Sequence, residues 1–189
     1  MNQESVVTVL VPVAQGIEEM EAITMIDVLR RAGARVTVAS VDDIMIKASK
    51  GIEFKADCLI ADCKADTFDL IALPGGIPGA EHLRDSSVLE TLLKNQADQG
   101  RYYAAICASP AVVLHHHGLI TSQNVTCYPA FTHQINNGNT LDVNVAVDGT
   151  CITSKGAGTA CEFALTLVEK LYSPEKRKEV EQGLAICPS

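Results

Sequence analysis

From Val6 to Leu171 the chain alternates apolar runs of strand length with amphipathic segments of helix length, and that alternation limits it to a few folds. Val6 to Val11 is continuously apolar, as in a central strand buried on both faces. Ala22, Met25, Ile26, Leu29 and Ala32 then recur at helical spacing between Glu18 and Ala32, with Gly33 where a C-terminal cap belongs. Arg35 to Val41 reads as a second strand, which completes a βαβ unit with parallel pairing. Asp69 to Leu73, Tyr102 to Ile106 and Val125 to Cys127 read as strands, and Val88 to Ala97 and Pro110 to His117 as helices. Val143 to Val147 and Cys151 to Ser154 flank Asp148-Gly149-Thr150 as a hairpin, and Thr159 to Leu171 is helical. Ser173-Pro174-Glu175 caps a last helix bearing Val180, Leu184 and Cys187. The pattern predicts an α/β fold: one domain over 1–189 with an open, mostly parallel sheet, helices on both faces, and ligands bound beyond the carboxyl ends of the strands.

Acidic residues outnumber basic ones by 23 to 15, so attraction to nucleic acid or an anionic membrane surface is not expected. The apolar runs fall far short of the roughly 20 residues that span a bilayer. The N-terminus lacks the basic start and cleavage site of a secretory signal. Seven cysteines, an odd count without a CxxC pair, then read as reduced thiols in a cytoplasmic protein. For most of them the ordinary reading is a small buried hydrophobe.

Cys107 stands apart. It follows the strand Tyr102 to Ile106, and Pro110 soon afterwards suits a helix's first turn, so the cysteine is expected at a sharp strand-to-helix elbow. A helix start beside a thiol favours the thiolate. Pro74-Gly75-Gly76, after a neighbouring strand, could bring backbone amides close to a substrate as an oxyanion hole requires, although glycines after strands are also plain turns. Glu21 shares a helical stripe with Met25 and Val28, which suggests a half-buried carboxyl whose raised pKa would let it donate a proton. A solvated first-turn glutamate, like Glu18 or Glu19, stays open as the alternative.

His115, His116 and His117 point about 100° apart on a helix and cannot converge on one metal, so no metal site and no cofactor are expected. Gly156-Ala157-Gly158 lacks the GK[ST] of a phosphate loop and reads as a plain loop.

With Gly16-Ile17-Glu18-Glu19-Met20-Glu21, LPGG at Leu73 to Gly76, AICASP at Ala105 to Pro110 and TSKGAGT at Thr153 to Thr159, the chain resembles the ThiJ/PfpI superfamily, nearest its DJ-one, Parkinson's-associated branch. The resemblance implies a flavodoxin-like three-layer sandwich, a homodimer, and Cys107 as nucleophile with Glu21 as acid-base partner. It also implies oxyanion contacts from the amides of Gly75 or Gly76 and of Ala108. Tyr128, Arg31, Lys50 and Ser109 would line the site, and Lys155 stands where relatives carry arginine. Tyr128 departs from the branch, whose animal members place a histidine there, and so removes a second acid-base group.

The implied activity is that of a glutathione-independent glyoxalase and protein deglycase, acting on methylglyoxal, glyoxal and early glycation adducts. The alternative is an oxidative-stress sensor or redox-regulated chaperone that forms a sulfinate at Cys107. A cysteine peptidase is disfavoured, because the residue after the cysteine is Ala108, not the histidine such peptidases carry.

Overall fold

The structure, a computed structural model, describes residues 6–186, so Cys187 lies outside the described residues. Strand β1 (Thr8–Val13), helix α1 (Glu19–Arg31) and strand β2 (Arg35–Ser40) form the expected βαβ unit, with β1 and β2 parallel. β1 starts later and runs further than the apolar run predicts. The Thr8 amide and hydroxyl both donate to Asp69 Oδ2, and pairing with β2 continues through Pro12 to Val13. Pro12 is tolerated because β1 pairs with its other neighbour only at Val9 and Leu10, so no rung is lost there.

A short hairpin of β3 (Met45–Lys47) and β4 (Glu53–Lys55) follows, then β5 (Cys58–Leu59) and a 3₁₀ turn over Ile60–Cys63. β6 (Leu70–Leu73) leads into helices α2 (Gly79–Asp85) and α3 (Ser87–Asp98), and β7 (Tyr102–Ile106) into the elbow. The expected helix from Pro110 is a stretch of wider, π-type turns over Pro110–His115, and Pro110 has no N–H for a first rung.

β8 (Asn124–Val125) pairs only with β9 (Asn139–Thr140), outside the main sheet. The strand expected through Cys127 stops short because the Thr126 amide donates to Thr153 Oγ1 and the Tyr128 amide to the Cys107 carbonyl. β10 (Val145–Asp148) and β11 (Cys151–Ser154) form the predicted antiparallel hairpin. α4 (Ala160–Leu171) and α5 (Pro174–Gly183) close the chain.

The main sheet has seven strands in the order β10-β11-β7-β6-β1-β2-β5, all parallel except β10. Helices cover both faces, α1 packing on α4 and α4 on α5, while α2 packs on α3 and on the Pro110–His115 turns. Val9, Leu10, Val11, Leu70, Leu73, Ala104, Ala105 and Ile106 are fully buried in the sheet's middle. From β1 the chain steps to β2 on one side and, later, to β6 and β7 on the other. This reversal is where open α/β sheets leave a crevice at their carboxyl ends.

Candidate active site

The segments after β1, β6 and β7 meet at this end of the sheet, joined by hydrogen bonds from Gly75 to Glu21 and from Ser109 to Pro74. Cys107 directly follows β7 with φ +64°, a left-handed conformation that costs a non-glycine residue on the order of 1–3 kcal/mol. Two backbone bonds hold it there: its amide donates to the Ser154 carbonyl at 3.0 Å and its carbonyl accepts from the Tyr128 amide at 2.8 Å. Ser109 adds a third tie, its hydroxyl donating to the Pro74 carbonyl at 2.5 Å. Ser109 is wholly buried, so it braces the elbow against the β6 loop and does not line the site.

Glu21 projects from the first turn of α1 and is fully buried, further than the half-burial its stripe predicts. Its Oε2 accepts from the Gly75 amide at 2.7 Å, while Oε1 has no hydrogen-bond partner. The Cys107 sulfur lies close enough to feel the carboxyl's charge but does not meet hydrogen-bond geometry with Oε1. Burial raises the Glu21 pKa to about 7 against the opposing pull of the Gly75 amide and the Cys107 thiol.

Cys107 is partly exposed. Burial of its sulfur and the negative charge of an ionised Glu21 push the thiol up to about 12, while the amides of Gly76 and Ala108 pull the other way. The helix start alone therefore does not ionise the sulfur, contrary to the simple elbow argument. A proton on Glu21 removes the carboxylate's contribution, so the two groups titrate as a pair.

This geometry separates the two glycines. The Gly75 amide is taken by Glu21 and is not available to an oxyanion. A Cβ at Gly75 would fall 2.6 Å from the Cys107 Cβ, so only glycine lets the two loops touch. Gly76 has φ +90°, and a Cβ there would meet the Glu18 amide nitrogen at 2.4 Å. The Gly76 and Ala108 amides are the two that face the sulfur.

The other expected site residues scatter. Arg31 lies at the far end of α1, exposed and paired with Asp27 at 2.8 Å, and the chain by itself does not bring it to Cys107. The Lys50 side chain is exposed, and its amide donates to Glu19 Oε1 at 2.9 Å. Tyr128 is 47% exposed, its ring tilted against Phe131, and is joined to the elbow through its backbone. Lys155 pairs with Asp142 beside a depression of about 390 Å³ that also involves Cys127 but neither Cys107 nor Glu21.

Glu19, read from the sequence as a solvated first-turn glutamate, is instead buried. It is 3% exposed, and the opposing effects of burial and of its hydrogen-bond donors leave its pKa lowered. The donors are its own amide, those of Lys50 and Ile52, and the Ser49 hydroxyl, which fasten the β3–β4 hairpin loop to the start of α1. Its partners in the hairpin loop are 30 to 33 residues away, and no local pattern points to them. Among the described residues, no three His, Cys, Asp or Glu side chains group as metal ligands.

A cysteine on a left-handed elbow at the carboxyl end of a mostly parallel sheet, faced by a buried carboxyl, defines a class of α/β proteins. Within that class the chain belongs to the DJ-1/PfpI family, which it matches over residues 7–170. Protein DJ-1 homolog A of Arabidopsis thaliana is 44% identical over 185 residues, 96% of this chain and 47% of that protein. The chain thus spans about half the length of the two Arabidopsis relatives it matches. Glutathione-independent glyoxalase DJR-1.2 of Caenorhabditis elegans is 39% identical over 187 residues, 98% of each chain. The solved structure of oxidized Toxoplasma gondii DJ-1 superposes with a TM-score of 0.94 at 47% identity, covering 96% of this chain and 100% of that one, and the fold is flavodoxin-like.

Proposed function

We propose that the chain is a cysteine-dependent, glutathione-independent glyoxalase that converts methylglyoxal to lactate and glyoxal to glycolate, and that acts on early glycation adducts by the same chemistry. The observation that carries this reading is the fully buried Glu21 carboxyl, with a pKa of about 7, beside the partly exposed Cys107 sulfur. The glyoxalase name of the C. elegans relative supports it.

In the proposed cycle the Cys107 sulfur attacks the aldehyde carbon and its proton passes to Glu21. The amides of Gly76 and Ala108 hold the resulting oxyanion, which takes that proton and becomes a hemithioacetal. Glu21 then removes the proton from the former aldehyde carbon and returns it to the adjacent carbon, while the hemithioacetal hydroxyl proton passes to the adjacent oxygen, leaving a 2-hydroxyacyl thioester on Cys107. Water cleaves the thioester, so one dicarbonyl and one water give one hydroxy acid. A carboxyl poised near neutrality suits both directions of transfer.

Lactate formation from methylglyoxal tests this. Cys107→Ala should abolish turnover, and Glu21→Gln should lower kcat by about 10²- to 10⁴-fold. Undiminished turnover in either variant overturns the mechanism. A sensing role is favoured by the same partly exposed sulfur beside two amides, which would stabilise a sulfinate. Preferential sulfinate at Cys107 after mild peroxide, with negligible dicarbonyl turnover, would decide for it.

A further inference from the structure

The sulfurs of Cys58 and Cys63 lie 3.7 Å apart, at the opposite side of the sheet from β7 and its elbow. Cys58 sits on β5, the two-residue edge strand, and is partly exposed. Cys63 ends the following 3₁₀ turn and is 2% exposed. The turn is braced by the Leu59 amide donating to Asp62 Oδ2 at 3.2 Å, which brings side chains five residues apart face to face.

A disulfide needs the sulfurs at about 2.05 Å, so closure requires an approach of about 1.7 Å. Rotation of two side chains supplies part of it, and the edge strand can give the rest. β5 pairs with β2 through Ala39↔Cys58 and Ser40↔Leu59, and Asp57 just before it exchanges hydrogen bonds with Val38, so the strand is a short edge with few rungs beyond Cys58.

We propose that Cys58 and Cys63 form a reversible dithiol–disulfide couple, oxidised by hydroperoxides, as a redox site separate from Cys107. The sulfur of the partly exposed Cys58 attacks a peroxide oxygen. The O–O bond breaks, Cys58 becomes a sulfenic acid, and an alcohol or, from hydrogen peroxide, water departs. The Cys63 sulfur then attacks the Cys58 sulfur: the S–S bond forms, the S–O bond breaks, and hydroxide leaves with the Cys63 proton as water. Burial pushes the Cys63 thiol up to about 12 and keeps it from solvent, so Cys58 and not Cys63 is the sulfur that meets the peroxide. An external dithiol reverses the reaction and is itself oxidised to a disulfide.

Trypsin releases residues 56–64 as one peptide carrying both cysteines, since Lys55 and Lys64 bound it. The full chain is treated with an equimolar amount of hydrogen peroxide, denatured in excess iodoacetamide, digested and analysed by mass spectrometry. The expected peptide is unalkylated and two hydrogens lighter than the reduced form. Dithiothreitol before alkylation should restore two alkylated cysteines. In Cys63→Ser, dimedone should instead trap a sulfenic acid on Cys58. The proposal is overturned if both cysteines remain alkylated at a dose that oxidises Cys107, or if Cys58 goes to sulfinate in the unsubstituted chain without bridging. Because Cys107 is read on a different peptide, this outcome is independent of the glyoxalase assay.

Discussion

At the scale of single residues, Glu21 couples the chemistry to folding stability. Its pKa rises from 4.5 to about 7 on folding, so between those values the folded chain keeps a proton that the unfolded chain has lost. Stability therefore falls as pH rises through that window, by about 3 kcal/mol in all at 1.36 kcal/mol per unit. Glu21→Gln should remove this slope, read as urea midpoints at pH 5 and pH 8; equal slopes in the two proteins would refute the shift. The Cys107 elbow was legible from a strand end before proline, whereas the helical stripe left the burial of Glu21 open and the family resemblance singled it out. The division of labour between Gly75 and Gly76 was not legible. It depends on the Gly75 amide reaching a carboxyl 54 residues earlier in the chain, which no spacing encodes.

At the scale of elements, the sequence marked those segments whose own burial pattern is complete. Every residue of β6 is buried and α1 shows a clear apolar stripe, so length and periodicity identify both. The β3–β4 hairpin escaped because its strands have three residues each and Ile46 alone among them is buried. Its loop is held from outside, by Glu19. Helix α2 escaped because Pro78, at its N-cap, provides no side-chain cap to read. α5 was legible by its cap, and the Ser173 hydroxyl does accept from the Lys176 amide at 3.2 Å. Arg177 then joins α5 to α4 through Glu169 at 3.0 Å. Ser173→Ala should cost about 1 kcal/mol, measured by chemical denaturation, with dicarbonyl turnover unchanged because α5 does not reach the elbow's loops.

At the scale of the whole molecule, the pattern of parallel strands and covering helices was readable from alternation alone, whereas association between copies rests on the family resemblance. Met20 and Ile23 are 59% and 44% exposed and lie three residues apart on α1, an apolar patch suited to a second copy. We expect sedimentation to give twice the chain mass, and Ile23→Glu to shift the population toward single chains; a single-chain species at micromolar concentration would contradict the homodimer. The sheet's two borders bear on how copies could meet. β5 offers only two residues to a newcomer, and β10, four residues long, has β8 packed against it. Borders so short and so obstructed give an incoming strand little to zip onto. The architecture thereby resists open-ended, fibril-like growth, and leaves its helical flanks as the faces on which the expected pairing of copies would form.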